Sequence, residues 1–154
     1  RHFGTRVLQY RLNYAVELRY GVLLDVAIQV WNNEPVDVTM GYANCVWQGF
    51  ANEVALRCLE MAASPQAILN VTGLERVSIR ALAGEFGRLL NREPIIVGEE
   101  ARTALLSNAS KCHGLYGPTD VGLDELIEWT AHWVKLGGPT LAKPTHFQTR
   151  NGKF

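Results

Sequence analysis

Asn13 closes an apolar run, Val7-Leu8-Gln9-Tyr10-Arg11-Leu12-Asn13, and a second run, Ala67-Ile68-Leu69-Asn70-Val71-Thr72-Gly73, ends in groups that also form hydrogen bonds. A carboxamide both donates and accepts, so an asparagine at the end of a strand suits a substrate carbonyl or another amide. The same residue type also bonds its own backbone in turns, and both readings stand for Asn13. Arg19, a few residues further on, carries the planar fork that pairs with a carboxylate or phosphate; a solvated surface arginine is the alternative. Trp47-Gln48-Gly49 offers an apolar wall, an amide and close backbone approach, although tryptophan is more often core than ligand wall. Arg80 and Arg102 are further cations able to meet an anionic substrate or to stand in water. His113, His132 and His146 lack a carboxylate pattern or a metal-ligand spacing and read as surface or structural residues, so no metal site is expected. Cys45, Cys58 and Cys112 are odd in number and widely spaced, which reads as reduced, packed thiols rather than disulfides or zinc ligands.

These side chains need elements to hold them. Both runs are apolar and rich in β-formers, and they read as parallel strands, 6–13 and 67–72, buried on both faces. Ligands of open α/β sheets bind beyond the carboxyl ends of the strands, where Asn13 and Thr72 stand. Periodicity predicts a helix from about Tyr20 to Asn32, stopped by Pro35, and another from Phe50 to Ala63. A third helix is capped by Ser78, turns Leu82, Phe86 and Leu89 inward and breaks before Pro94; a fourth runs from Leu123 to Leu136. Val36–Met40 and Ala43–Trp47 alternate around Gly41-Tyr42, which predicts a small hairpin. Pro94–Gly98 reads as a strand, Ala101–Leu115 as one or two short helices and Gly137–Phe154 as a surface tail. Arg1-His2-Phe3-Gly4-Thr5 reads as the last turn of a helix closed by glycine. The order β-α-(ββ)-α-β-α-β-α-α is that of an α/β chain.

A chain of 154 residues with 47% apolar and 19% charged residues is one ordinary globular domain by length. Fifteen basic residues balance fifteen acidic ones, so the field that gathers nucleic acid or anionic lipid is missing and neither is expected as a partner. No apolar run approaches the ~20 residues of a membrane helix and no signal peptide opens the chain. The expectation is a cytoplasmic protein.

The order and content of these segments resemble the carboxyl-terminal part of NAD-dependent epimerases and dehydratases, the extended short-chain dehydrogenase/reductase family. Arg11-Leu12-Asn13-Tyr14-Ala15 resembles that family's Arg-Pro-x-Asn-x-Tyr-Gly strand end. Leu69-Asn70-Val71-Thr72-Gly73, followed by Val77-Ser78-Ile79-Arg80-Ala81-Leu82-Ala83, resembles its late Asn-x-Gly and Ser-x-x-x-Leu-Ala unit. Ser110-Lys111, Leu115-Tyr116-Gly117 and Leu123–Trp133 resemble its closing helices. The resemblance implies the carboxyl-terminal portion of a Rossmann-type doubly wound sheet with a small α/β substrate-binding lobe, over residues 1–138, and a tail over 139–154. It places Leu12 and Asn13 at a nicotinamide. Asn13, Tyr14, Arg19, Trp47, Gln48, Arg80 and Arg102 are then the candidate contacts to a small, sugar-like substrate bearing a hydroxyl or carbonyl.

The departures are informative. No Gly-x-x-Gly-x-x-Gly follows a strand, and Gly84-Glu85-Phe86-Gly87 sits inside a helical pattern. The family's Tyr-x-x-x-Lys is missing, since Tyr10 is followed at the lysine place by Tyr14 and Tyr20 by Leu24; catalytic residues are expected upstream of Arg1. Met40–Gln48 lacks the Arg-Asp of sugar-nucleotide enzymes, which argues against a nucleotide-diphosphate sugar. The resemblance thus implies an NAD(P)-dependent epimerase, dehydratase or reductase as the parent. This chain is expected to be inert alone, to bind neither NAD nor NADP, and to pair with a second copy as a homodimer. The rival reading is a non-catalytic regulator or scaffold of the same fold that senses a dinucleotide or binds a partner protein.

Overall fold

The computed structural model describes residues 4–150. The two apolar runs form β1 (Leu8–Leu12) and β6 (Ala67–Val71), parallel and in register from Leu8 opposite Ala67 to Leu12 opposite Val71. Two more pairs are parallel: β2 (Ala15–Val16) with β5 (Val46–Trp47), and β3 (Pro35–Asp37) with β8 (Ile95–Val97). The fourth pair, β4 (Tyr42–Ala43) with β7 (Val77–Ser78), is antiparallel. Helices α1 (Val22–Trp31), α2 (Gln48–Arg57), α3 (Ile79–Leu90), α4 (Ser110–Tyr116) and α5 (Leu123–Lys135) complete a mixed α/β chain. None of these helices is long and apolar enough to cross a membrane, and no His, Cys, Asp or Glu cluster among the described residues is placed to hold a metal ion.

Apolar side chains divide into two cores. One lies under the β1–β6 pair, where Leu69 and Val71 meet Phe50, Ala51 and Val54 of α2 and Cys112 of α4. The other gathers α1, α3 and α5 with Val36 of β3. Helix α1 is the centre of the second core because Val22, Leu23, Leu24, Val26, Ala27 and Val30 are all buried, which leaves it almost no polar face. Gly21 starts α1 at φ +127°, and a Cβ there would stand 2.7 Å from Val16 Cγ1, so only glycine lets α1 leave the strand at that angle. Ser78 caps α3, its Oγ accepting from Ala81 N at 3.3 Å, and Asn91 ends it in the left-handed conformation.

Several expectations are corrected. Val36–Met40 and Ala43–Trp47 do not form a hairpin. Gly41 lacks the positive φ of a tight hairpin turn, and each segment is taken by a distant strand instead: Val36 by Ile96, Tyr42 by Ser78 and Val46 by Ala15. The β1–β6 pair is covered on one face only: α2 and α4 pack on the side of Tyr10, Leu69 and Val71, while on the other side Ile68, beside Gln9 and Arg11, is 39% exposed. The helix expected over 50–63 is α2, which ends at Arg57 and tightens into a 3-10 turn at Cys58–Met61. No helix forms between Ala101 and Asn108; the Asn108 side chain accepts from Ser110 N at 2.9 Å and starts α4 only there. The surface tail is largely exposed up to Arg150, yet it is anchored: Phe147 is 2% exposed in the larger core, and Asp25 Oδ2 accepts from Thr145 N at 2.7 Å and Oγ1 at 2.6 Å. Gly4 has the positive φ of a helix-ending glycine, while the helical turn expected at Arg1-His2-Phe3 lies outside the described residues.

Candidate functional site

The parallel register brings Asn13 and Thr72-Gly73 to the same end of the β1–β6 pair, and Asn13 N donates to Val71 O at 3.0 Å, extending the ladder by one residue. Asn44, 5% exposed, ties this end together. Its Oδ1 accepts from Asn13 Nδ2 at 2.9 Å and from Ser107 N at 3.2 Å. Its Nδ2 donates to Ser107 O at 2.7 Å and Gly73 O at 3.1 Å. Its backbone carbonyl accepts from the buried Thr72 hydroxyl at 3.0 Å. All four hydrogen bonds of the carboxamide are made, which is what a buried amide needs to avoid a desolvation cost. A side chain at Gly73 would run into the Cys45 carbonyl, so this crossing of two backbones requires glycine.

Trp47 ends β5 beside this knot and meets Trp129 of α5 edge-on, with ring centroids 6.2 Å apart at 84°. With Gly73 and His113 it borders a cavity of about 130 Å³. His113 lies flat on Phe50, and its Nε2 is 2.8 Å from the Thr72 carbonyl. A carbonyl only accepts, so Nε2 is the donor of that contact, while Nδ1 is buried and without a partner among the described residues.

The other sequence candidates fall in different places. Leu12 and Asn13 share the strand end, and beyond the bond to Asn44 the Asn13 carboxamide keeps its Oδ1 and one N–H free of a partner among the described residues. Tyr14 adopts a left-handed φ of 42°, and its carbonyl accepts from Val46 N at 3.1 Å; burial raises its phenol above the ordinary value. Arg19 is held by Glu17 at 3.0 Å and borders a separate cleft of about 360 Å³ between α1 and the tail. Gln48 Nε2 donates to Asn52 one turn on. Arg80 forks onto both oxygens of Glu100 at 2.6 and 2.9 Å, and that bond holds the Glu100 carboxyl down to about 2. Arg102 is exposed and has no ion-pair partner among the described residues. Asn13 and Trp47 therefore belong to one neighbourhood, whereas Arg19 and Arg80 are paired with carboxylates and border neither the knot nor its cavity.

Sequence reasoning missed Asn44, Ser107 and the Thr72–His113 link. One signal existed: an asparagine inside Ala43-Asn44-Cys45-Val46 is a polar group in an apolar setting, which demands partners when buried. The three thiols are buried, and burial pushes Cys45 up to about 12 and raises Cys58 and Cys112, so none is a ready nucleophile.

No family model and no curated protein matches the sequence. Solved structures do. A UDP-glucose 4-epimerase of Thermus thermophilus, in complex with NAD, is 18% identical and superposes with a TM-score of 0.67 over 87% of this chain and 48% of that one. A GDP-mannoheptose C4 reductase of Campylobacter jejuni with NADP bound is 15% identical, with a TM-score of 0.60 over 86% of this chain and 51% of its own. A UDP-glucuronic acid 4-epimerase of Bacillus cereus, a mutant form in complex with NAD and a fluorinated UDP-glucuronic acid, gives 14% and 0.60 over 84% and 44%. The chain has the fold of half such an enzyme. It spans about half the length of these proteins, with parallel strand pairs in a partial Rossmann-like arrangement. The described residues by themselves do not fit a dinucleotide. Gly84 and Gly87 lie within α3, with Gly87 packed against Arg92 and Pro94, and no strand among the described residues runs through a glycine-rich turn into a helix.

Proposed function

We propose that this chain is the substrate-binding, carboxyl-terminal half of a cytoplasmic NAD(P)-dependent epimerase, dehydratase or reductase that acts on a hydroxyl or carbonyl of a small molecule. The observation that carries the reading is the strand end itself: a carboxamide, Asn13, held by the Asn44 knot at the carboxyl end of a parallel pair, in a fold otherwise found as half of NAD- and NADP-bound enzymes. Leu12 and Asn13 contribute one apolar side chain and one amide oxygen to such a site, and Trp47 contributes a wall. The dinucleotide cradle and the proton-transferring residues belong to the other half, so the isolated chain is inert and binds NAD or NADP without useful affinity. The uncovered face of β1–β6 takes a second copy of the chain when it stands alone.

Reading the residues encoded upstream of Arg1 is the first test. A strand, a glycine-rich turn and a later Tyr-x-x-x-Lys are expected. In the full-length protein, Asn13→Ala should lower kcat/KM about tenfold, one positioned contact worth about 1.4 kcal/mol. Unchanged kinetics, or low-micromolar binding of NAD to the isolated 154 residues in a calorimeter, would overturn the assignment.

A further inference from the structure

The cavity beside the knot lies between β5, the turn from Gly73 to Val77 and the loop before α5. Its volume of about 130 Å³ is room for one six-membered ring, since an apolar cavity of about 150 Å³ holds benzene and a water occupies about 30 Å³. Val46, Trp47, Leu74, Val77, Val121 and Leu126 give it apolar walls. Its polar groups are few and mostly committed. Thr119 Oγ1 donates to Val121 O at 3.1 Å and accepts from Val121 N at 3.3 Å. His113 gives Nε2 to Thr72 O, and its Nδ1 is shut off from solvent. Glu75 is the one formally charged residue in the lining, and it is negative. A diphosphate would find there a carboxylate and no cation, and a sugar ring would leave most of its hydroxyls without partners, each at a desolvation cost.

We propose that this cavity receives an uncharged, largely apolar six-membered ring, aromatic or alicyclic, bearing a single hydroxyl or carbonyl, and neither the sugar nor the diphosphate of a nucleotide sugar. The inference rests on the substrate-binding reading of the strand end and names its substrate class. Apolar burial of the ring supplies the affinity and the shape of the walls the selection.

Benzyl alcohol and UDP-glucose are the probes, offered separately to the purified chain and followed by saturation-transfer NMR and by the Trp47 indole resonance, assigned with Trp47→Phe. Benzyl alcohol should bind with a dissociation constant on the order of 1 mM, as a fragment of its size does, and shift the Trp47 signal. Val121→Trp, which fills the cavity, should abolish that binding. Leu74→Arg changes a residue that is 59% exposed, so it serves where the first variant does not fold, and it should weaken benzyl alcohol several-fold. Benzyl alcohol that fails to bind, or binds the variants as well as the parent, overturns the ligand class. UDP-glucose bound at this cavity, and lost with Val121→Trp, overturns the class while leaving the substrate-binding reading in place. That reading fails on a different result, wild-type kinetics of Asn13→Ala in the full-length protein.

Discussion

Asn44 illustrates how one buried amide replaces several local structures. Its carboxamide bonds Asn13, Gly73 and two atoms of Ser107, so removing the side chain strands groups on three separate segments at once. Asn44→Ala should therefore destabilise the chain by about 3 kcal/mol or more in urea denaturation, well beyond the loss of a single exposed hydrogen bond. Asn13→Ala alone should cost about 1 kcal/mol, because Asn44 Oδ1 keeps its bond to Ser107 N. The two losses should not add: a double-mutant cycle should show a coupling of about 1 kcal/mol, and strict additivity would mean that the contact between the two amides is idle. The adjacent Cys45 thiol reflects the same enclosure, since a group pushed up to about 12 by burial stays neutral at any ordinary pH.

Elements are joined here by contacts between segments distant in sequence, and two joints are open to test. The fork of Arg80 in the first turn of α3 onto Glu100, beyond β8, ties the helix to that loop. Its hydrogen bond lowers the Glu100 carboxyl from 4.5 to about 2, so the stabilising share is complete above 4.5 and is lost as pH falls through about 2. Arg80→Met should remove the larger part of this dependence and leave the part due to the backbone hydrogen bond. Between 4.5 and 2 the parent chain should lose more thermal stability than the variant, and high salt should shrink the difference because the pair faces water. Equal acid slopes would dismiss the pair. The second joint is the tail. Phe147 fills the core of α1, α3 and α5 while Thr145 bonds Asp25, so Phe147→Ala should cost about 3 kcal/mol, measured by urea denaturation, against near zero for a loose tail.

At the scale of the molecule, a two-stranded parallel sheet with one bare face is an unusual end state, since parallel sheets are normally covered on both sides. Val7 and Ile68 stand exposed on that face, and β1 has no strand beyond it among the described residues. The isolated chain should therefore associate as a two-fold dimer at micromolar concentration in light scattering, and Val7→Lys with Ile68→Lys should return it to a monomer. A monomeric parent chain would show that the bare face is tolerated. The exposed Leu56 and Leu59 of the α2 region lie on another side of the same core and are left unchanged in that experiment as a control surface.

Helices α1, α3 and α5, the Ser78 cap of α3 and the two long strands were legible in the amino-acid order, because helical and strand periodicity are set by near neighbours and by capping chemistry. Asn13 was legible too, as the polar end of an apolar strand. The pairing of Val36, Tyr42 and Val46 was not, since short alternating segments carry no mark of which distant strand will take them. Nor was the role of Asn44, whose carboxamide is satisfied by Ser107 at a separation of 63 residues. Arg19 and Arg80 looked like free cations in the linear order and became neutralised ones only when the fold set Glu17 and Glu100 beside them. Periodicity is a property of neighbours along the chain, but whether a polar group is available to a ligand depends on what the fold has already placed against it.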